Sequence, residues 1–154
     1  MTNLPDQPGD THLDADDGVA HLARGYAAAA AARDIDAFMA LYDDAVVVHE
    51  LFSEATVVGA DAWRAQVATW FGDLGEDEEN LVEPQELTVH ADGRVALAHG
   101  LVRYGALNTD GSLKYGMVNR LTWGLRRGDD GVWRIVHEHT SVPLDPATMT
   151  PVLG

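Results

Sequence analysis

The second half of the chain most constrains the fold, because four long extended segments follow one another with short connections. The segments span residues 80–92, 94–108, 113–127 and 132–142. Their connections, "ADGR", "NTDGS" and "RGDDG", are clusters of turn-forming residues. Consecutive strands joined by such turns pair as hairpins, so the sequence predicts a four-stranded antiparallel meander.

The first half of the chain is predominantly helical in pattern. From Gly18, the stretch "GVAHLARGYAAAAAARD" is rich in alanine, the strongest helix former. Helical spacing predicts that it buries one apolar face, made of Val19, Leu22, Tyr26, Ala29 and Ala30. Asp34 is a candidate N-cap for a second helix, "IDAFMALYD".

Two short β-branched stretches, "AVVVHELF" and "ATVVGA", predict strands before a third helix that opens at Asp61. Helices segregated from a long antiparallel sheet indicate an α+β class. We expect the sheet to curl around the N-terminal helices and leave a cavity at one end. Residues 1–17 are predicted to form a flexible arm, 18–145 the domain and 146–154 a C-terminal tail.

Composition excludes several functions. The 154 residues suffice for one domain with its own core. The absence of cysteine excludes disulfides, thiolate–metal sites and cysteine nucleophiles. A formal net charge of −15 opposes binding to nucleic acid or to an anionic membrane. No secretory signal or membrane span is visible, so we expect a cytoplasmic protein.

The last predicted strand, "VWRIVHEHTSVP" (residues 132–143), carries two histidines two positions apart. Alternation along a strand places His137 and His139 on the face that begins with Trp133. The apolar start of that face indicates the interior, and Ser141 follows on it. The same alternation turns Glu138 outward.

These histidines have three interpretations. As metal ligands they would need a third or fourth partner, for which His99 or Glu50 is available. As pocket residues they could transfer protons, since histidine titrates near neutral pH. They could also be hydrogen-bonded residues with a structural role. We predict acid–base catalysis by His137 or His139, with no metal and no cofactor.

The neighbouring strand is ambiguous about Arg120. Leu121, Trp123 and Leu125 form its more apolar face, and Arg120 lies on the other face. The alternation of residue types alone therefore points Arg120 away from the interior.

The chain resembles the nuclear transport factor 2-like superfamily of cone-shaped α+β barrels, in its SnoaL-like and ketosteroid isomerase-like branch. The resemblance covers residues 18–145 and rests on "AAAAAARDIDAFMALYDDAVVV", "VVGADAWRAQVATWF" and "NRLTWGLRRGDDGVWRIVHEHTSVP". The ending is also similar to the calcium/calmodulin-dependent protein kinase association domain. It is similar, too, to the histidine–serine ending of a carbonic anhydrase class.

The resemblance implies that Arg120 points into the pocket and stabilises negative charge there. The residues expected to line the pocket for ligand binding are Tyr42, His49, Trp63, His99, Arg103 and Ser141. It also implies a homodimer through the outer sheet face, where Leu121, Trp123 and Leu125 would otherwise be exposed.

The predicted function is a cofactor-independent isomerase, cyclase or lyase that acts on an apolar, oxygenated small molecule. Ketosteroid isomerases use an aspartate base, and no aspartate lies in the middle of the long strands here. Glu50 and Glu138 are the strand-borne acids available to a cyclase. The alternatives are a non-catalytic ligand-binding or assembly domain and a metal-free hydratase of carbon dioxide. Whether the protein is an enzyme stays open.

Overall fold

The computed structural model describes residues 11–154 of the protein, with side chains from residue 15 onward. This part of the chain forms three helices and six strands. The elements are α1 (Thr11–Ala32), α2 (Ile35–Met39), β1 (Tyr42–His49), β2 (Val57–Val58), α3 (Ala60–Asp73), β3 (Glu79–Asp92), β4 (Val95–Leu107), β5 (Leu113–Arg127) and β6 (Trp133–Ser141). The predicted α+β class is confirmed.

Helices α2 and α3 begin within one residue of their predicted starts, whereas α1 begins earlier and α2 ends earlier than predicted. The five residues predicted for the apolar face of α1 are all buried. The Asp34 side chain caps α2 by accepting a hydrogen bond of 3.0 Å from the Ala37 backbone N–H. Helix α1 starts at Thr11, within the predicted flexible arm, whose residues 1–10 lie outside the described residues. Between residues 11 and 154, no helix is long and apolar enough to cross a bilayer.

The six strands form one curved, unclosed sheet in the order β2-β1-β6-β5-β4-β3. Strands β3 to β6 pair antiparallel, as their turns predict. Strand β1 covers the free edge of β6 and runs parallel to it, with His49 opposite His139. The sheet is therefore mixed, which differs from the predicted all-antiparallel sheet. Sequence patterns show which consecutive strands pair as hairpins. They do not show in which direction a strand from elsewhere in the chain, here β1, pairs with the free edge of β6.

The curvature of the sheet has a local cause in β3. One extra residue lies between the pairs Gln85–Leu101 and Thr88–His99, and Glu86 there adopts a positive φ of 54°. Such a bulge bends the strand and increases its twist. Gly100 of β4 faces the bulge, and a Cβ at this position would lie 2.6 Å from the Gln85 carbonyl oxygen. A glycine is therefore required where the sheet bends.

Helix α1 packs closely against the start of β6. A Cβ built on Gly18 would lie 2.2 Å from Cδ1 of Trp133, so a side chain cannot be accommodated without movement. At its other end the chain runs back beside β5, where the Val118 N–H donates to the Leu153 carbonyl oxygen over 2.9 Å. The helices and the C-terminal tail thus bound the concave side of the sheet and leave a cavity there.

Candidate functional site

The concave side of the sheet encloses a cavity of about 1090 Å³. Its walls come from α3, from the segment 50–58 that follows β1, and from the inner faces of β4, β5 and β6. The wall is largely apolar, with Trp63, Trp70 and Met117 among its residues. A cavity of this size and character is typical of sites that bind drug-sized apolar ligands.

The polar groups of the cavity depend on a bulge in β6. Gly124 of β5 pairs with His137, whereas the adjacent Leu125 pairs with Ile135, so Val136 is an extra residue. One extra residue reverses the alternation that follows it. Trp133 and Ile135 face the core as predicted, but beyond the bulge the inward residues are Glu138 and Thr140.

Glu138 is the central polar residue of the site. It lines the cavity although only 1% of its surface is exposed. Its Oε2 accepts hydrogen bonds from the Tyr42 hydroxyl at 2.9 Å and from Nε1 of Trp123 at 2.8 Å. Its Oε1 accepts a longer bond, 3.3 Å, from the Tyr26 hydroxyl. Oε1 therefore keeps more acceptor capacity than Oε2.

Burial of the carboxyl group dominates the electrostatics of the site. Burial raises the pKa of Glu138 to about 7, against the lowering effect of the hydrogen bonds from Trp123, Tyr42 and Tyr26, and nearby Glu50 raises it further. Burial, followed by the charge of Glu138, also raises the pKa of the tyrosines around it well above the usual range. The hydroxyl groups thus stay protonated as hydrogen-bond donors while the carboxyl group titrates near neutrality.

Two further polar groups face the same cavity. The Tyr104 hydroxyl shares a hydrogen bond of 2.8 Å with that of Tyr26 and so extends the network from Glu138. Asn119 is 3% exposed, and its Oδ1 has no hydrogen-bond partner among the described residues. A buried carbonyl oxygen without a partner is costly, so a ligand donor at this position would remove a penalty.

The structure places few of the predicted site residues at this cavity. Trp63 lines it, and Tyr42 reaches Glu138 through its hydroxyl. The others lie on the opposite, outer face of the sheet, because the residues next to them in each strand are the ones that point inward. These outer residues are His49, His99, Arg103, Arg120, His137, His139 and Ser141. The prediction that these seven side chains face the pocket is wrong, and their predicted roles there have no geometric support.

Two separate causes explain the misplacement. His137, His139 and Ser141 follow the Val136 bulge, which strict alternation does not anticipate. For Arg120, the alternation of residue types correctly points the side chain away from the interior, and the direction implied by the family resemblance is wrong. Arg120 is exposed, and its Nε donates to the Ser141 hydroxyl oxygen over 3.0 Å.

The inward face of β5 also alters the dimer expectation. Leu121, Trp123 and Leu125 are buried inside a single copy of the chain. The expectation that they would be exposed on the outer face is therefore wrong, and the homodimer itself stays a prediction.

Glu138 and Trp123 were missed as site residues, although one signal was available. The apolar face of β5 contains Trp123, which needs a hydrogen-bond acceptor when it is buried. Glu138 on the adjacent strand was the strand-borne acid able to supply it. The pairing of those two strands would have turned Glu138 inward.

Comparison with known proteins agrees with this architecture. The SnoaL-like domain family matches residues 19–145. The chain belongs to that family. The match covers nearly the whole predicted domain, 18–145. A search of curated proteins produced no match.

Solved structures share the fold of this SnoaL-like protein. An NTF2-like protein of unknown function from Pseudomonas putida KT2440 is 30% identical, with a TM-score of 0.79 over 94% of this chain and 97% of that chain. An NTF2-like superfamily protein from Salmonella enterica is 16% identical, with a TM-score of 0.73 over 93% and 100%. A protein from Xanthomonas campestris, provisionally assigned as a calcium/calmodulin-dependent protein kinase II association domain, is 19% identical, with a TM-score of 0.67 over 91% of both chains. Family and fold together support a small-molecule-binding protein.

Proposed function

We propose that the cavity binds an apolar small molecule bearing a carbonyl or hydroxyl group, and that Glu138 exchanges a proton with it. The observation that supports this proposal is a buried carboxyl group on an apolar cavity wall, held by hydrogen bonds from three side chains. The reaction class is that of an isomerase, cyclase or lyase without a cofactor.

The hydrogen bonds assign different tasks to the two carboxylate oxygens. Oε2 is held by two short bonds from Tyr42 and Trp123, which fix the orientation of the group. Oε1 accepts one long bond from Tyr26, which itself lines the cavity. We therefore assign proton exchange to Oε1, which takes a proton from a carbon next to a substrate carbonyl.

Charge balance requires a partner for the substrate oxygen. When the C–H bond breaks and the proton moves to Oε1, the electron pair shifts towards the carbonyl oxygen. The Asn119 side-chain amide lines the cavity and is available as a donor to that oxygen, whereas the Tyr104 hydroxyl donates its one proton to Tyr26, which in turn donates to Glu138. Return of the proton from Oε1 to another substrate atom completes an isomerisation and restores the carboxylate.

The raised pKa of Glu138 suits this role, because a general acid–base group is most effective when its pKa is near the working pH. The shift has the same physical origin as in other carboxyl groups placed in apolar cavities. It supports the assignment, which stands on the position and contacts of the side chain.

A purely binding role is the second candidate. It is favoured by the unpartnered Asn119 Oδ1, which calls for a ligand donor whether or not a reaction follows. The provisional association-domain assignment of the Xanthomonas protein adds an assembly domain as a variant of this candidate. The hydratase alternative depends on the ending at His139 and Ser141, which lies outside the cavity and lends it no support.

Proton exchange can be tested before the natural substrate is known. We expect the protein to accelerate deuterium exchange at the carbon between the ring and carbonyl of 2-tetralone in D₂O, followed by NMR. Glu138→Gln should lower the protein-catalysed rate by about 10² or more. Glu83→Gln, which alters an exposed strand glutamate, is the matched control and should leave the rate unchanged.

Binding is measured separately through the fluorescence of 2-naphthol, an apolar aromatic alcohol. Saturable binding by both wild type and Glu138→Gln, together with equal exchange rates, would contradict proton transfer and leave the binding candidate. Absence of 2-naphthol binding and of 2-tetralone exchange would contradict the proposed ligand class.

A further inference from the structure

Three histidines converge on the outer face of the sheet, away from the cavity. His49 comes from β1, and His137 and His139 come from β6. The two strands are parallel, with His49 opposite His139 and Val47 opposite His137. One ring nitrogen from each histidine lies within 4.8 Å of the other two.

The hydrogen bond of His137 determines which of its ring nitrogens can bind a metal ion. Its Nδ1 lies 2.8 Å from the Val47 carbonyl oxygen. Because a carbonyl oxygen only accepts hydrogen bonds, Nδ1 carries the proton and the lone pair is on Nε2. Metal-binding histidines are typically oriented in this way, with the second ring nitrogen donating to a carbonyl or carboxylate.

The neighbouring position on β5 adds no side chain to the cluster, because Gly124 pairs with His137. His49 and His139 are exposed, so their rings can rotate. Tetrahedral zinc with Zn–N bonds of 2.0–2.1 Å requires nitrogen atoms about 3.3 Å apart, which modest rotations of the two exposed rings would achieve.

We propose that His49, His137 and His139 bind a divalent transition-metal ion, with Zn²⁺ as the best match. Imidazole nitrogens are preferred ligands of zinc, and the net charge of −15 attracts cations. Because His49 and His139 are exposed, a fourth coordination position would be open to water. This site replaces the metal set considered from sequence, in which His99 or Glu50 completed the pair.

The metal site is independent of the function proposed for the cavity. Glu138 lies between two of the histidine ligands in sequence, but its side chain is on the opposite face of β6. Zinc binding can therefore be present or absent whether or not Glu138 transfers protons.

The test uses the full chain without an affinity tag, stripped with EDTA and titrated with ZnCl₂ by calorimetry. We expect one tight site per chain in wild type. His49→Ala and His139→Ala should each weaken it at least about tenfold, a loss that even a change of an outer-shell partner produces. Co²⁺ in place of Zn²⁺ should give the strong visible absorption of a tetrahedral complex.

A matched control lies on the same sheet face. His90 and His99 form a second histidine pair, with their Nε2 atoms 3.3 Å apart. His99→Ala should leave the tight site unchanged. The proposal is overturned if wild type lacks a tight site, if both His49→Ala and His139→Ala retain it, or if His99→Ala removes it. The two test variants alter exposed side chains, and unchanged circular dichroism verifies that they are folded.

Discussion

Replacing Glu138 by glutamine should stabilise the protein at neutral and alkaline pH. A glutamine can keep every hydrogen bond of the site. Its Oε1 would occupy the position that accepts from Tyr42 and Trp123, and its Nε2 would donate to the Tyr26 hydroxyl. Tyr26 can then donate to Tyr104, with which it already shares a hydrogen bond. What glutamine removes is the cost of burying a charge.

The magnitude follows from the pKa of Glu138, which burial raises from 4.5 to about 7. Between these values the folded protein holds a proton that the unfolded chain has released. The contribution of Glu138 to stability is therefore fully present below about pH 4.5 and is lost as the pH rises through about 7. At about 1.36 kcal/mol per pKa unit, the full loss is about 3 kcal/mol. Between about pH 5 and pH 8.5, Glu138→Gln should gain about 2.5 kcal/mol relative to wild type.

Other groups near Glu138 do not obscure this dependence. Tyr26 on α1, Tyr42 on β1 and Tyr104 on β4 have pKa values well above their usual range and stay neutral in this window. Glu50 also faces the site, and it is present in both proteins. The contributions of most other carboxyl groups to the free energy of unfolding are the same in wild type and variant, so they cancel in the difference.

The assay is urea unfolding of both proteins across this pH range, in EDTA so that metal binding does not contribute. Glu83→Gln, at an exposed position, provides the control and should follow the wild-type curve. A difference between wild type and Glu138→Gln that stays constant from pH 5 to pH 8.5 would refute the reasoning. It would mean that Glu138 titrates alike in the folded and unfolded chains.

Three other changes have predictable consequences. Tyr42→Phe removes a donor to the buried carboxylate, so it should cost about 1.5–3 kcal/mol above pH 7 and less at pH 5, in the same unfolding assay. Gly18→Ala places a Cβ against Trp133 and should lower stability by about 1–3 kcal/mol. Gly72→Ala in α3 meets no atom within 4 Å and should instead stabilise by about 0.5–1 kcal/mol. Equal melting temperatures for the two glycine variants would contradict the packing argument.

The sequence by itself determined the elements and the class of this protein. Helix α1 buries the face that its periodicity predicts, Asp34 caps α2, and the turn clusters produce the hairpins of β3 to β6. These features depend on interactions between residues close in the chain. Local residue types are therefore sufficient to predict them, and the family resemblance added the cone-shaped curvature of the sheet.

Only the tertiary structure decided which side chains meet. A single unpaired residue, Val136, reverses the faces of the residues after it, which turns Glu138 into the cavity and His137 and His139 outward. The parallel edge of β1 then brings His49 beside them. No particular residue type marks such a bulge in the sequence. Its position depends on how β6 pairs with the neighbouring strands. The acid of the candidate site and the histidine cluster thus both result from strand register, which alternation within one strand cannot reveal.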